Sequence, residues 1–253
     1  MAAPELLIEA EDLARRFPRC EALAGISFAV ARGEVAALVG PNGSGKTTTL
    51  RILACILAPT RGRVRVAGFD AAERSLDARR RLGYLPENPP FYPEMRVAEF
   101  LAFRGRLRGL RGPRLAERLR AVTEQCGLGE ATRRSLAHLS RGFRQRTGLA
   151  DCLLHEPEVL LLDEPFAGLD PVQDEALRGV LQGLGGRCAI LFTTHALAEV
   201  EQLGQRALVL NAGRLAAAGT PAGLAAQYGG GSFAEAFRRL AAPAAVPGGA
   251  RPA

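Results

Sequence analysis

At 253 residues, 47% of them hydrophobic and 23% charged, the chain has room for one large α/β domain with an insertion, which is preferred over two small domains. The net charge of +7 does not by itself mark a nucleic-acid binder, because Lys46 is the one lysine among 33 basic residues and the arginines accompany an Ala-, Gly- and Pro-rich composition. Nothing approaches the roughly 18 to 20 apolar residues of a membrane-spanning helix, and the start MAAPELLIEAED is acidic where a secretory leader is basic, so the chain is expected in the cytoplasm.

In chain order, residues 6–10 and 23–30 read as strands, and the apolar run EVAALVG is a strand that enters a glycine loop and a helix over 45–57. Short strands are expected at 63–66 and around Tyr84. From 97 to 155 the spacing turns helical, and buried parallel-strand character returns at 158–162 and 188–193. This order describes a helical insertion, about residues 96–155, within an α/β domain. A helix after His195, a strand pair over 207–217 and two short helices complete a single domain over 5–241, and the Pro-, Gly- and Ala-rich residues 242–253 read as a frayed tail. The five scattered cysteines contain no CxxC pair, so they read as small apolar core residues rather than as a zinc module or disulfide framework. Between Arg104 and Arg146 there are 12 arginines against Glu117, Glu124 and Glu130, which reads as a solvated face, with contact to an anionic membrane surface as the alternative.

Gly40-Pro41-Asn42-Gly43-Ser44-Gly45-Lys46-Thr47 matches the phosphate-binding pattern G-x-x-x-x-G-K-[ST] at a strand–helix junction. Glycines there let successive N–H groups turn inward as an anion nest at the helix N-terminus, where Thr48 also lies. Lys46 then reaches the β- and γ-phosphates of ATP, and Thr47 offers a hydroxyl to Mg²⁺. A compact ammonium suits this task better than a planar guanidinium, which fits the survival of one lysine in an arginine-rich chain. After the apolar run Val159–Leu162, Asp163 is placed to hold Mg²⁺ through water and Glu164 to orient or deprotonate the attacking water.

Four further segments accompany these two. Leu139-Ser140-Arg141-Gly142-Phe143-Arg144-Gln145-Arg146 lies between them, Ala167-Gly168-Leu169-Asp170 and Thr193-Thr194-His195 follow, and Tyr84-Leu85-Pro86-Glu87 lies upstream of Leu139. In this order they resemble the signature, D-loop, switch histidine and Q-loop of ATP-binding cassette (ABC) ATPases, over about residues 5–220. The resemblance implies an α/β fold: a P-loop NTPase core with a mixed, largely parallel sheet, an antiparallel β subdomain and an inserted helical subdomain. It implies ATP and Mg²⁺ held at a head-to-tail dimer interface. One subunit contributes Gly40 to Thr48 and the other Ser140, Gly142 and Asp170, with His195 sensing the γ-phosphate. Phe17 lies where the family stacks a ring on adenine, and it reads equally as a core anchor. Implied partners are a second ATP-binding subunit, most simply a copy of this chain, and an integral membrane permease that would hold it at the cytoplasmic face of the cell membrane. YLPENPPFYPEM with LSRGFRQR most resembles exporter-type cassettes. The other reading is a soluble ABC ATPase of DNA repair, chromosome organisation or translation. The paired cassettes, coiled coils and zinc modules of those proteins are not seen in this sequence, and no nucleic acid is expected.

Three positions depart from the family pattern. Glu87 stands where glutamine is usual and is still placed to meet the Mg²⁺ shell. Arg141 replaces the first signature glycine and is expected to point into solvent. Ala167 replaces the usual D-loop serine.

Overall fold

Two twelve-residue strands, β1 (Leu6–Phe17) and β2 (Cys20–Ala31), pair as an antiparallel hairpin. β3 (Val35–Val39) then runs into α1 (Lys46–Leu53), and β4 (Arg61–Val66) and β5 (Phe69–Asp70) extend the hairpin into a four-stranded sheet of order β2-β1-β4-β5. After α2 (Ser75–Arg80) and β6 (Leu82–Leu85), the three helices α3 (Val97–Leu107), α4 (Gly112–Gln125) and α5 (Arg141–Leu153) precede β7 (Val159–Leu162). The chain closes with α6 (Pro171–Gly183), β8 (Ala189–Thr194), α7 (Leu197–Leu203), β9 (Arg206–Asn211), β10 (Arg214–Gly219), α8 (Pro221–Tyr228) and α9 (Phe233–Ala241). The computed structural model describes residues 4–242, so from residue 243 on the expected tail lies outside the described residues.

A second, six-stranded sheet has the order β10-β9-β3-β8-β7-β6, parallel except where β10 meets β9. Its central strands lack polar alternation because both faces are covered. Successive side chains of a strand leave on opposite faces. Val39, Leu162 and Phe192 therefore enter a core shared with α3, α5 and α6, while Leu38, Leu161 and Leu191 enter a core shared with α1 and the antiparallel sheet. The carboxyl ends of β3, β7 and β8 all point to one edge, where Gly40, Asp163 and His195 emerge.

Several expectations need correction. The first two strands run well past 6–10 and 23–30, because the hairpin keeps pairing through its polar ends. The helix expected over 45–57 ends at Leu53: Cys55 sits at φ 56, a left-handed conformation that breaks the helical path, and Ile56 is turned outward at 62% exposure. Cys126, Cys152 and Cys188 are core residues as expected, but Cys20 is exposed and Cys55 only half-buried.

The arginine-rich insertion is not simply a solvated face. Buried Asp151 on α5 is held by Arg104 at 2.9 Å and by Arg108 at 2.6 Å, both from the α3 side. Arg118 on α4 donates to the carbonyls of Leu153 and Leu154 at the end of α5, groups that have no partner within the helix. Arg134 and Arg146 lie over the Phe143 ring at 5.5 and 4.4 Å from its centroid. These five arginines bind the insertion together.

His155, just after α5, donates from Nε2 to the Leu82 carbonyl at 3.1 Å while its Nδ1 is buried without a partner. Burial, reinforced by Arg108, pushes its pKa from 6.5 down to about 4. The folded chain thus binds fewer protons than the unfolded one between these values. The stability this gives is complete above pH 6.5 and is lost on acidification toward pH 4. Between pH 7 and pH 5 the loss amounts to roughly 2 kcal/mol. Denaturant titrations at the two pH values should show His155→Gln losing less stability than the parent by about that amount; equal losses would exclude His155 as the source.

Candidate functional site

The phosphate-type loop begins where β3 ends, and its glycines are needed for close approach. A Cβ on Gly40 would lie 2.3 Å from the Leu210 carbonyl, and one on Gly45, at φ 107, would lie 2.6 Å from the Ala22 carbonyl. Gly45 immediately precedes α1, so the first helical N–H groups, without intrahelical acceptors, face the loop interior. Ser44 is buried, and its hydroxyl has no partner. Lys46, 8% exposed, bends its ammonium back onto the carbonyls of Gly40 at 2.7 Å and Pro41 at 3.2 Å. Burial lowers its pKa, while the negative groups Glu164 and Asp163 act to hold it up. An anion reaching this loop would find a positive, largely desolvated donor already in place.

A cleft of about 470 Å³ opens over the loop. It brings together the expected residues Phe17, Asn42, Gly43, Gly45, Lys46, Thr47, Thr48, Glu87 and Glu164, along with Cys20 at the start of β2. Gly40 and Pro41 supply the carbonyls that hold Lys46, and Ser44 is buried with it. Phe17 is half-buried, belongs to neither core, and carries the Arg15 guanidinium 4.7 Å from its ring centroid, which removes the core-anchor alternative.

The acidic end of β7 is joined to this cleft by hydroxyls. Asp163, 3% exposed, accepts from Thr47 Oγ1 at 3.3 Å and from Thr193 Oγ1 at 2.7 Å. The same Thr193 hydroxyl accepts the Glu164 N–H at 2.9 Å. Glu164 has a left-handed backbone, φ 49, which costs a non-glycine residue about 1 to 2 kcal/mol and persists only when its surroundings enforce it. Its carboxylate meets His195 Nδ1 at 2.9 Å, the imidazole being 69% exposed and the carboxylate 15%.

Thr194 fixes the approach to His195, because its hydroxyl donates to Glu199 at 2.6 Å and accepts from the Ala196 N–H at 2.9 Å. Burial raises the Glu199 pKa, with the Thr194 hydrogen bond opposing it. Sequence reasoning missed Thr193 and Glu199 as site-ordering groups. The available signal was a pair of hydroxyl residues ending an otherwise apolar, wholly buried strand.

Ser140, Gly142 and Asp170 do not line this cleft. Ser140 caps α5 by accepting the Phe143 N–H at 3.4 Å, and Asp170 caps α6 by accepting the Gln173 N–H at 2.9 Å. Gly142 abuts Gln173, whose Oε1 would stand 2.1 Å from an added Cβ. Arg141 is exposed, but its guanidinium is not free in solvent as expected. It lies on Gly168, where an added Cβ would meet Nη1, Cζ and Nε at 2.7 to 2.9 Å. Gly168 has no side chain, and the flat guanidinium fills that space.

The profile of the ABC transporter family matches residues 23–167. The chain belongs to the ABC transporter family. It is 40% identical over 209 residues to the ABC transporter ATP-binding protein YxlF of Bacillus subtilis (strain 168), covering 83% of this chain and 69% of that one. It is 38% identical over 224 residues to the daunorubicin resistance ATP-binding protein DrrA3 of Streptomyces coeruleorubidus, covering 88% of this chain and 71% of that one. The same share of this chain matches only 39% of the longer ABC transporter ATP-binding protein YbhF of Escherichia coli (strain K12), at 38% identity. A solved ATP-binding subunit of an ABC transporter superposes with a TM-score of 0.83 at 32% identity, covering 92% of this chain and 99% of that one. The chain is thus an ATP-binding subunit of this family and an ATPase, with its core, antiparallel sheet and inserted helices as the resemblance implied. No helix among the described residues is long and apolar enough to cross a membrane.

Proposed function

We propose that this chain powers an ABC exporter: a single cassette over residues 5–241, with its helical insertion at about 96–155, hydrolyses MgATP between two copies and drives a separate permease at the cytoplasmic face of the membrane. The Glu164–His195 pair carries this reading, since it is held at 2.9 Å at the mouth of the cleft that contains Lys46. Such a pair is a base with its orienting group, which a mere nucleotide-binding module would not need.

The residues present fit Mg²⁺. Thr47 and Asp163 converge as hard oxygen donors, with Glu87 on the cleft wall, and a cation that keeps several waters and phosphate oxygens needs few protein ligands. Bound there, it would neutralise charge developing on the transferred phosphoryl group. Lys46 exchanges the carbonyls of Gly40 and Pro41 for phosphate oxygens. Phe17 offers its ring to the adenine. Glu164 takes a proton from the attacking water, and His195, donating Nδ1–H to Glu164, holds that carboxylate toward the γ-phosphate.

Ser140, Gly142 and Asp170 lie outside the cleft at two adjacent helix N-termini, which supports their meeting a second subunit's nucleotide rather than their own. Because ATP would touch both subunits only in a closed dimer, it has the differential affinity that closure requires. Export is favoured by the relative named for daunorubicin resistance. Size-exclusion chromatography of Glu164→Gln with ATP should show a two-chain species that forms with Mg²⁺ and is lost with EDTA. A single-chain species under both conditions would overturn the dimeric reading.

A further inference from the structure

The two charged departures from the family pattern, Glu87 and Arg141, share a groove. It is a space of about 220 Å³ next to the ATP cleft, bounded on one side by Glu87, Asn88 and Pro89 with the Gln145 side chain reaching across to Glu87, and on the other by Arg141 and Arg144. Glu87 also lines the ATP cleft itself, so its exposed carboxylate stands between the two spaces. Gln145, 2% exposed, donates from Nε2 to the Glu87 carbonyl at 3.4 Å, while its buried Oε1 has no partner. A buried acceptor left unsatisfied carries a desolvation cost, so a donor reaching it is favoured. Arg144 is engaged with the Ala137 carbonyl at 3.1 Å. Arg141 takes part in none of the ion pairs formed among the described residues, and its guanidinium rests on Gly168. One wall of the groove thus offers a carboxylate and an orphan acceptor, and the other offers a guanidinium without an anionic partner.

We propose that Arg141 is a positioning residue with two seats, Gly168 in the 167–170 loop and the Glu87–Gln145 wall, and that its exchange between them ties the insertion's signature helix to the state of the ATP cleft. This rests on the ATPase reading above and adds to it a residue-level coupling. Phosphate arriving at Lys46 places negative charge beside Glu87 in the cleft. That repulsion favours the Glu87 carboxylate facing the groove, where Arg141 reaches it and Gln145 Oε1 together. Leaving Gly168 frees the 167–170 loop, which carries Asp170, and the pull on Arg141 turns the first residues of α5, which carry Gly142 and follow Ser140. Seated on Gly168, Arg141 instead holds these two segments against each other within one chain. The groove is solvent-accessible, so the coupling is small and sensitive to salt.

The test is a double-mutant cycle of Glu87→Gln and Arg141→Gly. The amide keeps the shape of the side chain while removing the charge, and glycine restores the residue usual in the family. Steady-state ATP turnover is measured at low and at high NaCl. Each single variant should lower kcat about three- to fivefold at low salt with KM changed less than twofold, and the double variant should be no slower than either single. High salt should shrink the coupling. Fold effects that multiply in the double variant, or singles indistinguishable from the parent, would overturn the proposal. Glu87→Gln with Arg141→Gln provides a second cycle that keeps side-chain bulk on α5 and should show the same coupling; effects that multiply there would equally overturn the proposal. Lys46→Ala is run in parallel. If it retains parent turnover, the ATP-site reading itself fails; if it is inactive and the cycle is additive, only the two-seat inference fails.

Discussion

Lys46→Ala should lower ATP turnover on the order of 10²- to 10³-fold, the cost of removing one preorganised donor from a developing anionic centre. Lys46 is 8% exposed and bends onto the carbonyls of Gly40 and Pro41, so in the parent it sits desolvated beside the space the phosphates would enter. Its removal leaves phosphate charge uncompensated where water does not replace it well. Lys46→Arg should recover little, because a planar fork does not fit a seat built for a compact ammonium. Phosphate release at saturating ATP measures the first effect, and binding of a fluorescent nucleotide shows how much affinity falls with it. Turnover within threefold of the parent would remove the basis of the catalytic assignment.

The second large effect is expected at Glu164. Glu164→Gln keeps the shape of the side chain and its backbone bond to Thr193 but abolishes the base, so turnover should fall about 10²- to 10⁴-fold while ATP binding stays within a few-fold of the parent. His195→Ala should follow the same pattern more weakly, since it leaves the Glu164 carboxylate in place but unoriented. The comparison of kcat with nucleotide affinity decides the matter. Equal losses in both would mean that these residues serve ground-state binding, and a Glu164→Gln enzyme that turns over at the parent rate would show that the base lies elsewhere.

Local chemistry made much of this legible. The glycine loop declares itself because the pattern G-x-x-x-x-G-K-[ST] over Gly40 to Thr47 sits between an apolar strand and a helix, and because a lone lysine in an arginine-rich chain calls for a reason. The apolar runs of β3, β7 and β8 announce strands covered on both faces, since nothing polar could be left there without a partner. These are properties of a few consecutive residues, and a few consecutive residues record them.

What the sequence left open depends on distant partners. The end of α1 is set by a left-handed Cys55 that no propensity requires, because the apolar Ile56 and Leu57 continue the helical pattern. The arginines of the insertion look alike along the chain. Which of them hold Asp151, close α5 or flank Phe143, and which stay in water, follows only from the packing of α3, α4 and α5. Thr193 orders Asp163 and Glu164 across 30 and 29 residues of separation, through one hydroxyl that both donates and accepts. Arg141 looked free to point into solvent until the 167–170 loop was placed under it. Hydrogen bonds and charge contacts act over a few ångströms, so the partner each group finds is decided by tertiary approach, whereas the strands, the glycine loop and the acidic strand end were already determined by the order of residues along the chain.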